Sequence, residues 1–435
     1  MAKHTMQELY QWQALPLNIK VLMTAERIRN WVNEFGEDGV YLSFSGGKDS
    51  TVLGHIIREV CGYKNIPFVF VDVPTQYPEL KEFAKAFDNL VILKPKISFA
   101  EVCEKYGFPM ISKEVSNCVS GARKYVKYLD SQKSNNTILT DRQTDRQTVP
   151  YACYMADLLG IDRRINKQNE QYKSLQMGVI PRGSELRLRR LNGELTDSKG
   201  NYSRFNQEKY KFFLEAPFEI SDLCCDIMKK KPAHEYEKET GRKPIIATMA
   251  TESVMRTQKW LQDGCNAFNV TRPHSNPMSF WTEQDVLLYI KENADRMCKE
   301  RINESKTVMF YGDRIVSRKT GATIENKEYC LPICSVYGDV VTDDEESGQT
   351  TLADFMDLEE FDLGRPILHT TGCKRTGCVL CGFGCHLEKE PNRFQMLKET
   401  HPKFHNLLYI LKNNGVTYAE AIDWVNEHGN MNIKY

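Results

Sequence analysis

The hexapeptide Ser45-Gly46-Gly47-Lys48-Asp49-Ser50 constrains this 435-residue chain more than any other feature. It follows the apolar run Val40 to Phe44, which reads as a strand, and precedes Thr51 to Val60, which reads as a helix. Two consecutive glycines permit a tight turn and let a ligand approach the backbone closely. Amides at such a turn form a nest for oxyanions, and the following helix adds its positive end. Ser45 and Ser50 offer hydroxyls, Lys48 a mobile positive charge, and Asp49 a carboxylate for a metal ion or a helix cap. The spacing is neither Gly-x-x-x-x-Gly-Lys-[Ser/Thr] nor Gly-x-Gly-x-x-Gly, so the loop is a phosphate cradle of another kind.

The surrounding order extends this reading. Pro67 to Val71 is apolar on both faces, as a buried parallel strand requires. Pro78 to Phe87 reads as a helix, Leu90 to Leu93 as a strand and Ser98 to Tyr106 as a helix. This alternation predicts an α/β fold with a doubly wound, mostly parallel sheet, whose ligands sit beyond the carboxyl ends of the strands. Asp72 ends an apolar strand at that edge, where a carboxylate calls for a partner: a ribose or adenine group, or Mg2+. Residues 116 to 210 break the rhythm with a polar, helical insertion that contains the repeat Asp141-Arg-Gln-Thr-Asp-Arg-Gln-Thr148. Alternation resumes at Pro244 to Thr248, with helices through Ser253 to Asp263 and from Thr282, where Thr282 and Asp285 form a capping pair. The expected layout is an N-terminal helical segment 1–36, a nucleotide-binding domain 37–290 and a cysteine-rich subdomain 291–435. Asp343 to Glu346 reads as a solvated acidic loop.

Charge narrows the function. Lys plus Arg and Asp plus Glu both number 58, which removes a global electrostatic argument for nucleic-acid coating. The most basic short stretch holds Arg182, Arg187, Arg189 and Arg190. As a nucleic-acid contact it needs aromatic stacking beside it. No apolar run approaches the roughly 20 residues that cross a bilayer, and no apolar leader is visible. A cytoplasmic protein without a membrane partner is expected.

Four of the 14 cysteines fall in one short run, Cys373, Cys378, Cys381 and Cys385, separated by glycines that let the backbone wrap a metal. Four thiolates suit either tetrahedral zinc or an iron-sulfur cluster. Cys224 and Cys225 are adjacent and poorly suited to bridge each other, so ligation is the sensible alternative. Six thiols compete for four places: Cys378 and Cys381 lead, followed by Cys385, Cys224 and Cys225, with Cys373 last. Cys330 and Cys334 are a weaker pair.

Several further motifs accompany the loop: Val71-Asp72 with Tyr77-Pro78-Glu79, then Ile111-Ser112-Lys113-Glu114, Cys224-Cys225, Thr251-Glu252-Ser253-Val254-Met255-Arg256 and Arg375-Thr376-Gly377-Cys378-Val379-Leu380-Cys381. With them the chain resembles the phosphoadenosine phosphosulfate (PAPS) reductase family of the PP-loop, adenine-nucleotide alpha-hydrolase-like superfamily. The resemblance implies that the loop grips an adenine nucleotide, with Asp72 nearby and the segment Ser253 to Arg256 over the substrate. Lys113 and Arg256 become candidate phosphate or sulfate contacts. It also implies ATP with Mg2+, cleavage to AMP and pyrophosphate, and a [4Fe-4S] cluster in preference to zinc. An intact loop lysine and the absence of a cysteine after Cys385 set the chain apart from the reductases. They place it nearer the ATP-dependent sulfur-transfer branch, with a nucleic-acid or small-molecule acceptor and a sulfur-donor protein as partners. Sulfonucleotide reduction with sulfite release, and a nucleotide-sensing subunit without catalysis, are the alternatives.

Overall fold

The computed structural model describes residues 3–141, 182–304, 308–311, 314–317, 333–342 and 367–435, without the side chains of 131–141, 182, 294–304, 308–311 and 314–317. The repeat beyond Asp141, the side chain of Arg182, Cys330 and the acidic run 343–346 lie outside that description. The chain forms two compact units. The first comprises Met1–Lys96 and Met228–Cys378, the second Ile97–Ile227 and Val379–Tyr435. The boundary therefore falls inside the cysteine-rich run.

In chain order the first strands are β1 (Val40–Phe44), β2 (Phe68–Val71), β3 (Leu90–Leu93), β4 (Met110–Ile111), β5 (Lys243–Ile246), β6 (Asn266–Ala267) and β7 (His274–Ser275). The first helices are α1 (Met6–Gln13), α2 (Leu17–Phe35), α3 (Lys48–His55), α4 (Pro78–Lys85), α5 (Phe99–Tyr106) and α6 (Lys113–Asp141). The first unit is built on a six-stranded sheet of order β3-β2-β1-β5-β7-β6. Every pairing in it is parallel except β6 with β7. This is the doubly wound α/β architecture that the alternation predicts. The strand order switches sides at β1, with β2 and β3 added on one side and β5 on the other, so the carboxyl ends of the parallel β1 and β5 flank a topological switch point, where ligands bind in such sheets.

Burial explains these elements. Residues 40–42 and Phe44 of β1 are buried, as in a central strand covered on both sides. On α2, Leu17, Thr24, Ala25, Ile28, Trp31 and Val32 face the core at helical spacing. Lys20, on the same face, is 1 % exposed and held by Asp285 at 2.7 Å. Asp285 also accepts from the Thr282 amide at 2.7 Å, so the capping pair read from the sequence doubles as a buried ion pair. Two helices fall within the segments read as helical: α1, fixed by a capping box between Thr5 and Glu8, in the N-terminal segment, and the 29-residue α6, which begins three residues before the expected insertion.

The second unit is organised by the segment from Gly107 to Ile111. Phe108 bridges Ile220 on one side, and β4 pairs in parallel with Gly382–Phe383 on the other. The helix Tyr418–Gly429 packs beside them. Its Tyr418 ring stacks on Phe108 at 4.6 Å, and its hydroxyl donates to the Pro109 carbonyl at 3.0 Å. The helix Arg182–Leu191 lies against α6: the Cys118 thiol donates to the Arg187 carbonyl, and a side chain at Gly121 would strike Arg187.

Candidate functional site

The hexapeptide turns at the carboxyl end of β1, where the topology opens the crevice. Gly46 has φ +72°, a left-handed conformation that favours glycine, and a Cβ there would press on the Leu80 carbonyl at 3.1 Å. The two serines shape the loop rather than project from it. Their hydroxyls lie 3.0 Å apart; Ser50 Oγ donates to the Gly47 carbonyl at 2.9 Å, and Ser45 Oγ accepts from the Gly47 amide at 3.2 Å. Gly47 is the N-cap of α3 and offers no side chain to the first turn, where the Lys48 amide donates to the Tyr337 hydroxyl.

A cavity of about 150 Å³ opens here, lined by Ser45, Gly47, Lys48 and Asp49 of the loop, Met249, Thr251 and Glu252 after β5, and Glu283, Tyr337, Arg375 and Thr376. At roughly 30 Å³ per water it has room for about five waters, the scale of phosphate groups rather than of a whole nucleotide. Lys48, 4 % exposed, points its Nζ at Glu283 Oε1 (3.0 Å) and the Lys374 carbonyl (2.9 Å). Tyr337 hydroxyl sits 2.7 Å from Thr376 Oγ1 and 3.3 Å from the Lys48 amide. Burial pushes that phenol well above its ordinary range, so it is a neutral hydrogen-bonding group here.

Asp49 is the unbalanced member. Its Oδ1 is buried without a hydrogen-bond partner among the described residues. Burial first, and the nearby Glu283 charge, raise its pKa above the ordinary carboxylate value, while Lys48, Arg375 and Arg256 pull it down. An orphaned carboxylate oxygen in a phosphate-sized cavity fits a hard divalent cation such as Mg2+. Arg256 lies in the field of Asp49 and Arg375, and ion-pairs with Glu252 one helical turn back. Ser253 caps that helix by accepting from the Arg256 amide. Asp72, by contrast, is already engaged by Lys81, so its partner is a lysine of α4. Glu283 and Tyr337 were not singled out in the sequence. Glu283 follows the Thr282 cap and so had a local signal; Tyr337 had none.

The thiols divide. Cys373 belongs to the first unit, with its sulfur 3.6 Å from the Tyr77 hydroxyl and 3.5 Å from the Arg375 carbonyl. Cys378 is the last residue of that unit. In the second unit, Cys224, Cys381 and Cys385 all lie within electrostatic reach of the buried Tyr418 hydroxyl, and Cys225 follows Cys224 in the same short helix. Arg393 donates to the Cys381 carbonyl at 2.9 Å and stands near the Cys381 and Cys385 sulfurs. Gly382 is obligatory here, since a Cβ would meet the Pro109 carbonyl and the Tyr418 hydroxyl, both at 2.7 Å. The set suits a thiolate-held metal in its chemistry. In its spacing it does not close: among the described residues no group of three His, Cys, Asp or Glu side chains is placed to hold a metal ion. Beside it, Ile111 has φ +66°, an outlier for a β-branched residue, directly before Ser112, Lys113 and Glu114. Lys113 is exposed at the start of α6.

A glycine-rich turn after the central strand of a doubly wound sheet defines an adenine-nucleotide alpha-hydrolase-like α/β fold. Residues 39–142 match the family model for the phosphoadenosine phosphosulfate reductase domain. No curated protein sequence matches the chain. Among the described residues no helix is long and apolar enough to cross a membrane.

Proposed function

We propose that the chain is a PP-loop enzyme that cleaves ATP to AMP and pyrophosphate, adenylates an acceptor oxygen and exchanges that oxygen for sulfur. The observation that carries this reading is the orphaned Asp49 Oδ1 beside Lys48 in a phosphate-sized cavity at the loop. Asp49 would hold Mg2+ against the phosphates, and the ion would offset charge on the departing pyrophosphate. Lys48 would leave Glu283 for a phosphate oxygen, and Arg256 and Arg375 would meet others. Gly46, Gly47 and the α3 amides would cradle the chain of phosphates, with Ser45 and Ser50 keeping the turn in shape. Asp72 and Ser253 remain proposed for the nucleoside and substrate side, and Lys113 for an anionic group of the substrate. The acceptor oxygen attacks the alpha phosphorus, the bond to the bridging oxygen breaks, and pyrophosphate leaves. A sulfur nucleophile then displaces AMP.

Cys224, Cys225, Cys381 and Cys385, with Cys378, are the residues proposed for a [4Fe-4S] cluster, zinc being the other metal that thiolates suit. The reaction above needs no step through it. The family match favours a second reading, reduction of a sulfonucleotide with release of sulfite. Anaerobically purified protein decides between them. Pyrophosphate released from Mg-ATP with an acceptor present supports the first; sulfite released from PAPS overturns it in favour of the second. Tight ATP binding without either product leaves a nucleotide sensor.

A further inference from the structure

We propose that the helix Arg182–Leu191 and the hairpin 192–207 of the second unit form a binding surface for single-stranded nucleic acid. The hairpin holds two large aromatic rings in solvent, Tyr202 at 62 % and Phe205 at 56 % exposure. It is not a loose loop. Asp197 Oδ1 accepts from the Lys199 and Asn201 amides at 2.8 and 2.9 Å, and Thr196 bridges Tyr202. The Asn206 side chain closes the base by bonding both the amide and the carbonyl of Leu195. Arg190 Nε donates to the Phe205 carbonyl at 2.9 Å, and the Gln207 amide donates to the Arg190 carbonyl at 2.8 Å, which ties hairpin to helix. A rigid frame that keeps two aromatic faces in water gains nothing for folding, since burying each would stabilise the unit.

Their surroundings are cationic. Residues 183–211 carry seven Arg or Lys side chains against four acids, in a chain of zero net charge. Arg189, Lys199, Arg204, Lys209 and Lys211 are exposed. One of the acids, Asp197, is occupied by the turn amides. The Arg204 guanidinium stands over the Phe205 ring at 5.1 Å, so charge and π-face are presented together. Exposed rings for unstacked bases, flanked by cations for the phosphates, are the elements of single-strand recognition. A duplex offers stacked bases that such rings cannot reach, and an acidic peptide has no use for paired π-faces. As the acceptor, this ligand rests on the thiolation reading above; its binding does not.

Fluorescence anisotropy of the full chain with labelled oligouridylate and oligothymidylate tests the surface. The wild type is expected to bind at least one of them, more weakly as salt rises. Tyr202→Ala with Phe205→Ala should weaken binding at least about tenfold with an unchanged melting temperature. Arg204→Ala should lower the slope of log affinity against log salt by about 0.7. Preference for the uridylate would point to the 2′-hydroxyl and RNA, and preference for the thymidylate to DNA; either supports the surface. Lys48→Ala should leave oligonucleotide binding intact, so loss of the ATP reading and loss of this one are separate results. No binding of either oligonucleotide, equal binding by the double aromatic variant, or equal competition by polyglutamate would overturn the proposal.

Discussion

The phosphate loop of the first unit and the Gly107–Ile111 segment of the second are both candidate sites, and they are built in opposite ways. The loop is local. Six consecutive residues set the turn, bond one another and leave Asp49 unbalanced toward the cavity. The other site is assembled from afar. Ile220, Gly382 and Tyr418 converge on a strand that carries a strained Ile111, and the thiols arrive on two of those distant segments. A local site keeps its shape through its own amides; an assembled one depends on close approaches that tolerate little added volume.

Substitutions can break or sharpen this contrast. The largest effect is expected from Gly107→Ala. Gly107 has φ +94°, and a Cβ would sit 2.1 Å from the Glu219 carbonyl oxygen, a backbone atom that cannot step aside. A loss of about 4 kcal/mol in a denaturant melt is expected, confined to the second unit in hydrogen exchange. A global loss of less than about 1 kcal/mol would break the picture of an assembled site. Next comes Lys48→Ala, which should weaken Mg-ATP binding by about 100-fold in calorimetry while leaving the melting temperature nearly in place. Comparable loss of both would make Lys48 structural.

Asp49→Asn should do something unusual for a loop residue: stabilise the ligand-free protein by about 1 kcal/mol at pH 7 while losing Mg-ATP binding. The sign follows from burial. The folded-state pKa is raised above the ordinary 3.8, so ionisation costs more folded than unfolded. That penalty is absent below pH 3.8, grows as pH rises toward the folded value and is full above it. The variant's gain should therefore vanish in melts at acid pH. Smallest is Glu283→Gln. Freed from its partner at 3.0 Å, Lys48 should bind metal-free ATP about threefold tighter, a modest effect because the Glu283 side chain is about half exposed. Unchanged or weaker binding would show that Glu283 does not restrain Lys48.

What could be read in advance tracks the same contrast. The strands β1 and β3 were placed at their observed ends because apolar runs bounded by glycine and polar residues carry their own signal. The loop was legible for the same reason, and so was the Thr282–Asp285 cap. The roles of its serines were not, because hydroxyls that bond each other look like free donors in a string of letters. Asp72 looked unpartnered until the α4 turn delivered Lys81 nine residues on. Tyr337 and Arg375 reach the cavity from far along the chain, and no local pattern announces that. The cysteines were visible as a cluster, yet their division between two units depends on chain paths that spacing does not encode. Ile111 is the extreme case: a β-branched residue in a left-handed conformation contradicts its own local preference, and only its surroundings hold it there.

The pairing of β4 with Gly382–Phe383 sets a schedule for biosynthesis. Met110 and Ile111 emerge from the ribosome about 270 residues before their partner strand. At 5–20 residues per second that is a wait of roughly 15 to 50 seconds. Throughout that interval the nascent second unit has an open edge and no Tyr418 to cover Phe108, which makes it a natural client for chaperones and the stage at which a truncated message would be most harmful.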